Sequence, residues 1–360
     1  MAARDAGGRM RPPLIFLFFS ILLFIVASFF FSAPRSTVVP EGFSDDGRTL
    51  VASSCDYSDG SWIRGPRSVA PRYDSSCKEI YKGWNCISGG KANARALLQW
   101  RWKPSGCDLP PLDPVHFFRL FRNTNIGKAV VWLSDKDHFT PHKNGGQPAQ
   151  VGGKLESLGY KQGYQVDVDV PEQTWAEAPF FHDILVINTG HWWWAPSKFD
   201  PLRSPLLFFE KGMPVIPPLP PHIGFGITLK HMVSYVEKRM KPDGKIFFCS
   251  QSPRHFEGGD WNHGGSCRRV QPLLQEQVED LFSLEKNGTN VEARLINQHL
   301  FKALNGSRFH ILDITHMSEF RADAHPSTTG GKKHEDCMHW CLPGLTDSWN
   351  DLLMAHLKSV

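Results

Sequence analysis

The chain has no concentrated tract of basic residues. Its 40 Lys and Arg and 36 Asp and Glu are scattered along 360 positions, for a formal charge of +4, which excludes the electrostatic footprint expected of a nucleic-acid partner. It also lacks a second clean pair of closely spaced cysteines beside Cys337 and Cys341, and that speaks against a closed structural zinc site. From Leu14 to Phe31, "LIFLFFSILLFIVASFFF", it lacks charge altogether for eighteen residues. That length just spans a bilayer, and Arg4, Arg9 and Arg11 ahead of it predict a cytoplasmic N-terminus. A cleaved signal peptide is the competing reading, but it wants a shorter apolar core and a small-x-small site, whereas "FFFSAPR" places Phe31 two positions before Ala33. The segment is therefore expected to be an uncleaved anchor of a single-pass type II protein with its C-terminal bulk in the secretory lumen. Its short, Phe-rich span suits the thinner membranes of the early secretory pathway.

What is present divides the chain into a cytoplasmic tail (1–13), the anchor (14–31), a stem (32–50), a Cys-rich domain (51–112) and a large C-terminal domain (113–360). The stem, "SAPRSTVVPEGFSDDGRTL", is polar, rich in Pro and Gly, and without periodicity. The Cys-rich domain carries "CDYSDGSWI" and "CKEIYKGWNC" with little apolar patterning, so it needs disulfides and its neighbour to hold its shape. All eight cysteines (Cys55, Cys77, Cys86, Cys107, Cys249, Cys267, Cys337 and Cys341) follow the anchor, and in an oxidising lumen an even set reads first as disulfides. Asn287 in "NGT" and Asn305 in "NGS" are glycosylation acceptors. The 12 Trp could stack on sugar rings or simply fill a core.

Beyond residue 113 apolar runs alternate with amphipathic ones. "KAVVWLS" (128–134), "YQVDVDV" (164–170), "DILVINT" (183–189), "KIFFCS" (245–250) and "FHILDIT" (309–315) are expected strands, several of them continuously apolar, as a sheet covered on both faces requires. Leu229, Val233, Val236 and Met240 form one helical stripe after a Thr228 cap, closed by Pro242 and Gly244. Ile296, Leu300, Ala303 and Leu304 form a second, and "DSWNDLLMAHL" with Asp347 as cap a third. The alternation predicts an α/β fold with a parallel sheet flanked by helices, whose ligands gather at the carboxyl ends of the strands.

Three polar loops could carry chemistry. "NTGHWWW" (188–194) offers Asn188 as a donor to a developing oxyanion, with His191, Trp192 and adjacent indoles to line a sugar cleft; a loop tied down by Asn188 with its tryptophans packed inward explains the same residues equally well. "SPRHFEGGDWNHGGSC" (252–267) suits close backbone approach to a ligand or a long disulfide-pinned turn, the second reading being favoured. In "KKHEDCMHWCLPG" (332–344), Asp336 and His339 are spaced i, i+3, which on a helical turn places both on one face. An Asp that accepts from one imidazole nitrogen leaves the other free as a general base, and cysteines bonded to distant parts of the chain would hold that turn. No metal is expected there, since a zinc site needs thiolates that the lumen oxidises.

Together "CDYSDGSWI", "NTGHWWW", "SPRHFEGGDWN" and "DCMHWCLPGLTDSWNDLL" resemble the plant trichome-birefringence-like proteins, from about residue 50 to the C-terminus. The resemblance implies Golgi polysaccharide O-acetyltransferases anchored as type II membrane proteins, with a small Cys-rich domain ahead of an SGNH-hydrolase-like domain. It implies a double displacement in which the serine of a Gly-Asp-Ser motif takes acetyl from a donor, acetyl-CoA being a candidate co-substrate, and passes it to cell-wall xylan, xyloglucan or pectin, with no bound cofactor. Asp336 would orient His339, and His339 would activate first the serine and then the acceptor hydroxyl. The implied disulfides are Cys55–Cys107, Cys86–Cys341 and Cys267–Cys337, with Cys77 and Cys249 left over. In the family the serine motif closely follows "FRNTNIG". Here Phe121 to Gly127 run instead into "KAVVWLSDKDHFTPHKNGGQPAQVGG", and no Gly-Asp-Ser occurs anywhere. The nucleophile segment is thus replaced at about 128–153, leaving Ser134, at the end of an expected strand, as the substitute nucleophile to be considered. The alternatives to an impaired acetyltransferase are a catalytically inactive polysaccharide-binding protein and an acetyl esterase.

Overall fold

Continuously apolar strands need cover on both faces, and the central sheet meets that need. The computed structural model describes residues 55–65, 73–130, 158–160, 163–190, 193 and 205–359. In it β1 (Gly60–Arg64) and β2 (Trp100–Pro104) form an antiparallel ribbon. Strands β3 (Ile126–Val130), β5 (Ile184–Asn188), β8 (Lys245–Cys249) and β9 (Phe309–Leu312) form a fully parallel sheet in the order β3-β5-β8-β9. Strands β4 (Tyr164–Asp167), β6 (Leu206–Glu210) and β7 (Met213–Pro214) make a separate small sheet.

Side chains alternate across the strands, so the parallel sheet has two cores. Leu185, Ile187, Ile246 and Phe248 face helices α2 (Pro221–Glu237) and α4 (Glu292–Leu304), which supply Leu229, Val233, Val236, Ile296 and Leu300. Ile184, Phe247 and Leu312 turn the other way, onto Val278 and Phe282 of α3 (Gln275–Phe282) and Leu352 and Leu357 of α5 (Thr346–Ser359). Trp102 of β2 enters this second core, where it is 2% exposed. The Cys-rich segment is therefore packed into the sheet's second core as well as being cross-linked. The short α1 (Pro114–Leu120), capped by Asp113 through Val115 N and His116 N, leads from it to β3.

Several expected boundaries are corrected. The 164–170 strand does not join the main sheet, because β4 pairs with β6, a strand outside the five expected. The 309–315 strand ends at Leu312; Asp313 takes Ser250 Oγ and Thr315 N as donors and turns the chain into a short helix at Thr315–Glu319. Thr228 is no cap, since α2 begins at Pro221 and the Thr228 hydroxyl donates to the Gly224 carbonyl inside the helix. Asp347 lies in the first turn of α5 and accepts from Gly344 N. The strand expected at 128–134 is described only through Val130, and Ser134 lies outside the described residues. So does the anchor 14–31; among the described residues no helix is long and apolar enough to cross a membrane.

Three disulfides form, Cys55–Cys107, Cys86–Cys341 and Cys267–Cys337, the pairs the resemblance implies, while Cys77 and Cys249 are unpaired. Asn287 and Asn305 are both exposed. Replacing Trp102 by Ala is expected to destabilise the whole chain by about 3–5 kcal/mol in one cooperative transition, read by denaturant melts. A change confined to a separate minor transition would show that the Cys-rich segment folds on its own.

Candidate active site

The turn from Asp336 to His339 is folded by its own carboxylate. Asp336 Oδ1 accepts from the His339 backbone N–H at 3.1 Å and from the His339 ring Nδ1 at 2.9 Å, with Oδ2 at 3.0 Å from the same nitrogen. This is an Asx-type turn in a loop, not the helical turn that the spacing suggested, but it brings the two side chains together as expected. Lys332 donates to Asp336 Oδ2. Burial alone would raise the Asp336 carboxyl, but the hydrogen bonds from His339 and Lys332 outweigh it and hold the group well below the usual carboxylate range. An ionised Asp336 fixes the proton of His339 on Nδ1. Nε2, which has no hydrogen-bond partner among the described residues, is then a free base on a side chain 55% exposed.

Neighbouring elements hold this loop from several directions. Cys337 and Cys341 carry disulfides to Cys267 and Cys86. Asp336 and Ser327 exchange backbone hydrogen bonds, Cys341 N donates to Ala324 O, and Cys337 O accepts from His255 N. Trp340 is buried and donates to Ser252 Oγ, just beyond the carboxyl end of β8. The dyad thus sits over the carboxyl end of the parallel sheet, where such folds place their ligands. The Trp84 ring stacks on the His339 ring at 5.0 Å and 25°, and Trp84 O accepts from Leu342 N.

Beneath the loop lies a buried histidine pair. His325 Nδ1 is 2.6 Å from the His339 carbonyl, His255 Nε2 is 2.8 Å from the Glu319 carbonyl, and the inner contact, His255 Nδ1 to His325 Nε2, is 2.7 Å. A carbonyl accepts only, so both outer nitrogens must carry protons if both contacts are hydrogen bonds. Two neutral rings carry two protons and satisfy two of the three contacts; a third proton would complete the chain. Burial opposes that charge. It pushes His255 down to about 4 and His325 well below the usual histidine range, with only partial compensation from Glu319, Asp323 and Asp336.

The other expected site residues fare differently. Asn188 ends β5, and its amide donates to the Cys249 carbonyl at 2.9 Å, tying β5 to β8; no hydrogen bond joins it to the dyad among the described residues. Next to it, Gly190 is required by close approach, since a Cβ there would lie 1.8 Å from Gln251 Oε1. His191 and Trp192 lie outside the described residues. Trp193 is 2% exposed and packs on Phe208 and Phe225, so this one of the three consecutive tryptophans fills the core instead of lining a cleft. The 252–267 loop is the pinned turn, with Arg254 paired to Asp260 and Glu292, and Glu257 bridged to Ser266. Cys267, Glu335 and Cys337 lie within metal-ligand distance of one another, but the two sulfurs are joined in a disulfide. Desolvation pushes the Cys249 thiol up to about 12, which leaves almost no thiolate to serve as a nucleophile. A cavity of about 470 Å³ beyond β9, lined among others by Glu279, Arg294, Asp313, His316 and Glu319, excludes the dyad. Its Arg294 is committed to Glu279 and Glu319. Neither His325 nor Trp84 is marked by any pattern in the sequence; only the Cys86–Cys341 link hints that the Cys-rich domain reaches the dyad.

The histidine pair yields a pH signature. An imidazole that titrates near 6.5 when unfolded and near 4 when folded binds fewer protons in the native state, so its stabilising effect is complete above about pH 6.5 and is lost as pH falls toward 4. His255→Gln, which keeps a donor for the Glu319 carbonyl, is expected to cost about 1–3 kcal/mol at neutral pH and to flatten the decline between those limits. Denaturant midpoints measured across that range check this, and parallel slopes for the two proteins would contradict it.

Residues 150–356 match the family described as PC-Esterase, "GDSL/SGNH-like Acyl-Esterase family found in Pmr5 and Cas1p", and residues 53–108 match the PMR5 N terminal domain. The first match begins downstream of most of residues 128–153. Protein trichome birefringence-like 13 of Arabidopsis thaliana is 51% identical over 91% of this chain and 89% of its own length. Protein trichome birefringence-like 12 of the same plant is 37% identical over 83% and 84%. Xyloglucan O-acetyltransferase 3 of Populus trichocarpa is 25% identical over 94% and 95%. With a parallel sheet, the disulfide frame and an Asp-His dyad at its carboxyl end, the chain belongs to the trichome birefringence-like family of PC-esterase proteins.

Proposed function

We propose that this chain is a cell-wall polysaccharide O-acetyltransferase whose dyad is intact and whose acetyl transfer is impaired. Residues 14–31 anchor it in the Golgi membrane with the remainder in the lumen, and acetyl-CoA is a candidate donor. The observation that carries the reading is the 2.9 Å contact of His339 Nδ1 with Asp336 Oδ1, in a chain that contains no Gly-Asp-Ser. A relative that is named a xyloglucan O-acetyltransferase and aligns over 94% of the chain supports the reaction class.

The residues divide the work as follows. Asp336 holds the His339 proton on Nδ1 and stabilises the imidazolium that forms when Nε2 takes a proton. His339 Nε2 takes the proton of the sugar hydroxyl as that oxygen attacks the acetyl carbonyl carbon of the donor; the bond from that carbon to the donor's leaving group, the thiolate when acetyl-CoA is the donor, then breaks and the imidazolium returns its proton to it. Without the serine, no acetyl-enzyme forms before that attack, and transfer depends on the direct encounter of donor and acceptor. In a triad, loss of the nucleophile alone removes nearly as much rate as loss of all three members.

With full-length protein, a labelled acetyl donor and xylan, xyloglucan or pectin oligosaccharides, the expected outcome is oligosaccharide binding with slow transfer that His339→Ala abolishes. Transfer unaffected by His339→Ala would remove the dyad from the reaction. Rapid turnover lost in Ser134→Ala would show that the substitute segment supplies the nucleophile and that the chain is not impaired.

A further inference from the structure

Beside the dyad, the Cys-rich domain presents an arrangement that the proton chemistry does not use. The turn Lys82–Trp84 lies against the dyad loop. A Cβ at Gly83 would meet Tyr81 Cε1 at 2.8 Å and the Lys332 Cε at 2.9 Å, so the glycine lets the lysine stem cross the turn on its way to Asp336. Three rings contact in succession: His339, Trp84 stacked on it at 5.0 Å, and Tyr81 edge-on to Trp84 at 5.3 Å. Cys86–Cys341 and the Leu342 N to Trp84 O bond fix this row to the catalytic loop. Tyr81, at the end of this series, is 62% exposed and leaves its ring open to solvent.

The charges around the row are mostly of one sign. Lys82, Lys333 and His334 are exposed, and none has an ion pair among the described residues. Lys332 is committed to Asp336 and Glu335 to Arg268, while Lys78 and Glu79 offset each other. The apolar face of a pyranose covers an exposed aromatic ring, and exposed lysines next to it in the chain, Lys82 after Tyr81 and Lys333 after the Lys332 whose stem passes Gly83, favour a carboxylate on the sugar.

We infer that Tyr81, with Lys82 and Lys333, forms an acceptor subsite for a uronate-bearing polysaccharide, which places the chain one or two sugar rings from His339. The inference rests on the polysaccharide reading above and narrows it to acidic chains. Tyr81 would carry the ring contact, the two lysines would select the carboxylate, and Trp84 would be a positioning residue that keeps His339 and the subsite in register.

Binding rather than turnover tests it. Calorimetric titration of the full-length protein with an oligogalacturonide and with a neutral xyloglucan oligosaccharide should show tighter binding of the acidic chain, weakening as salt rises. Tyr81→Ala should weaken oligogalacturonide binding about tenfold and Tyr81→Phe much less. The double change Lys82→Gln, Lys333→Gln should remove the preference over the neutral chain. All three positions are at the surface, so thermal midpoints should stay unchanged and report intact folding. Equal binding of the two oligosaccharides, or no effect of Tyr81→Ala, would overturn the subsite and leave the acetyltransferase reading standing. Binding of neither would remove both.

Discussion

The Cys86–Cys341 bond is the constraint on which the site depends. It closes a loop of 255 residues, and in the chain-entropy account such a closure is worth on the order of 5 kcal/mol. Its more specific effect is positional. One end lies two residues from Trp84 and the other two residues from His339, so a single covalent bond sets the stack between those rings. The Cys267–Cys337 bond fixes the other side of the same loop, one residue from Asp336. The Asp-His contact needs no helix because the loop is held at both ends and the Asp336 carboxylate organises the turn between them.

Beneath that loop the polar groups are unevenly served. Asp336 has donors from two directions and is ionised, whereas the His255–His325 pair has one proton fewer than its three contacts could use. The first arrangement fixes the His339 tautomer and leaves its Nε2 facing outward. The second couples the loop's backbone to acid, because the native state resists the protonation that an unfolded chain accepts. In the proposed reaction a base with a fixed tautomer still needs a nucleophile to receive the acetyl group, and the chain contains no Gly-Asp-Ser to supply it.

Much of this was legible in the residues. The apolar runs that became β5, β8 and β9 could be read because strands covered on both faces must be apolar throughout, and Asp336–His339 could be read because a short spacing limits how far apart two side chains can lie. The run "LLFFE" of β6 is as apolar as the others, but its partner β4, not its own pattern, assigns it to a separate sheet. Thr228 looked like a cap because its hydroxyl has a local partner, but that partner is a carbonyl within a helix already begun at Pro221. The roles of His325 and Trp84 depend on pairings across 70 and 255 residues, and no local pattern encodes those. Trp193 shows the same limit in reverse, since the run of tryptophans that suggested a cleft places this one in the core.

The central claim is that a competent dyad stands without its serine. Its most direct test is to incubate the full-length protein with an acetyl donor or a serine-directed fluorophosphonate and to map adducts by intact-mass and peptide mass spectrometry. The account predicts no acyl or phosphonyl adduct on any serine, Ser134 included, while a family member that retains Gly-Asp-Ser is labelled in parallel. A stoichiometric adduct on one serine of this chain, lost in His339→Ala, would contradict it.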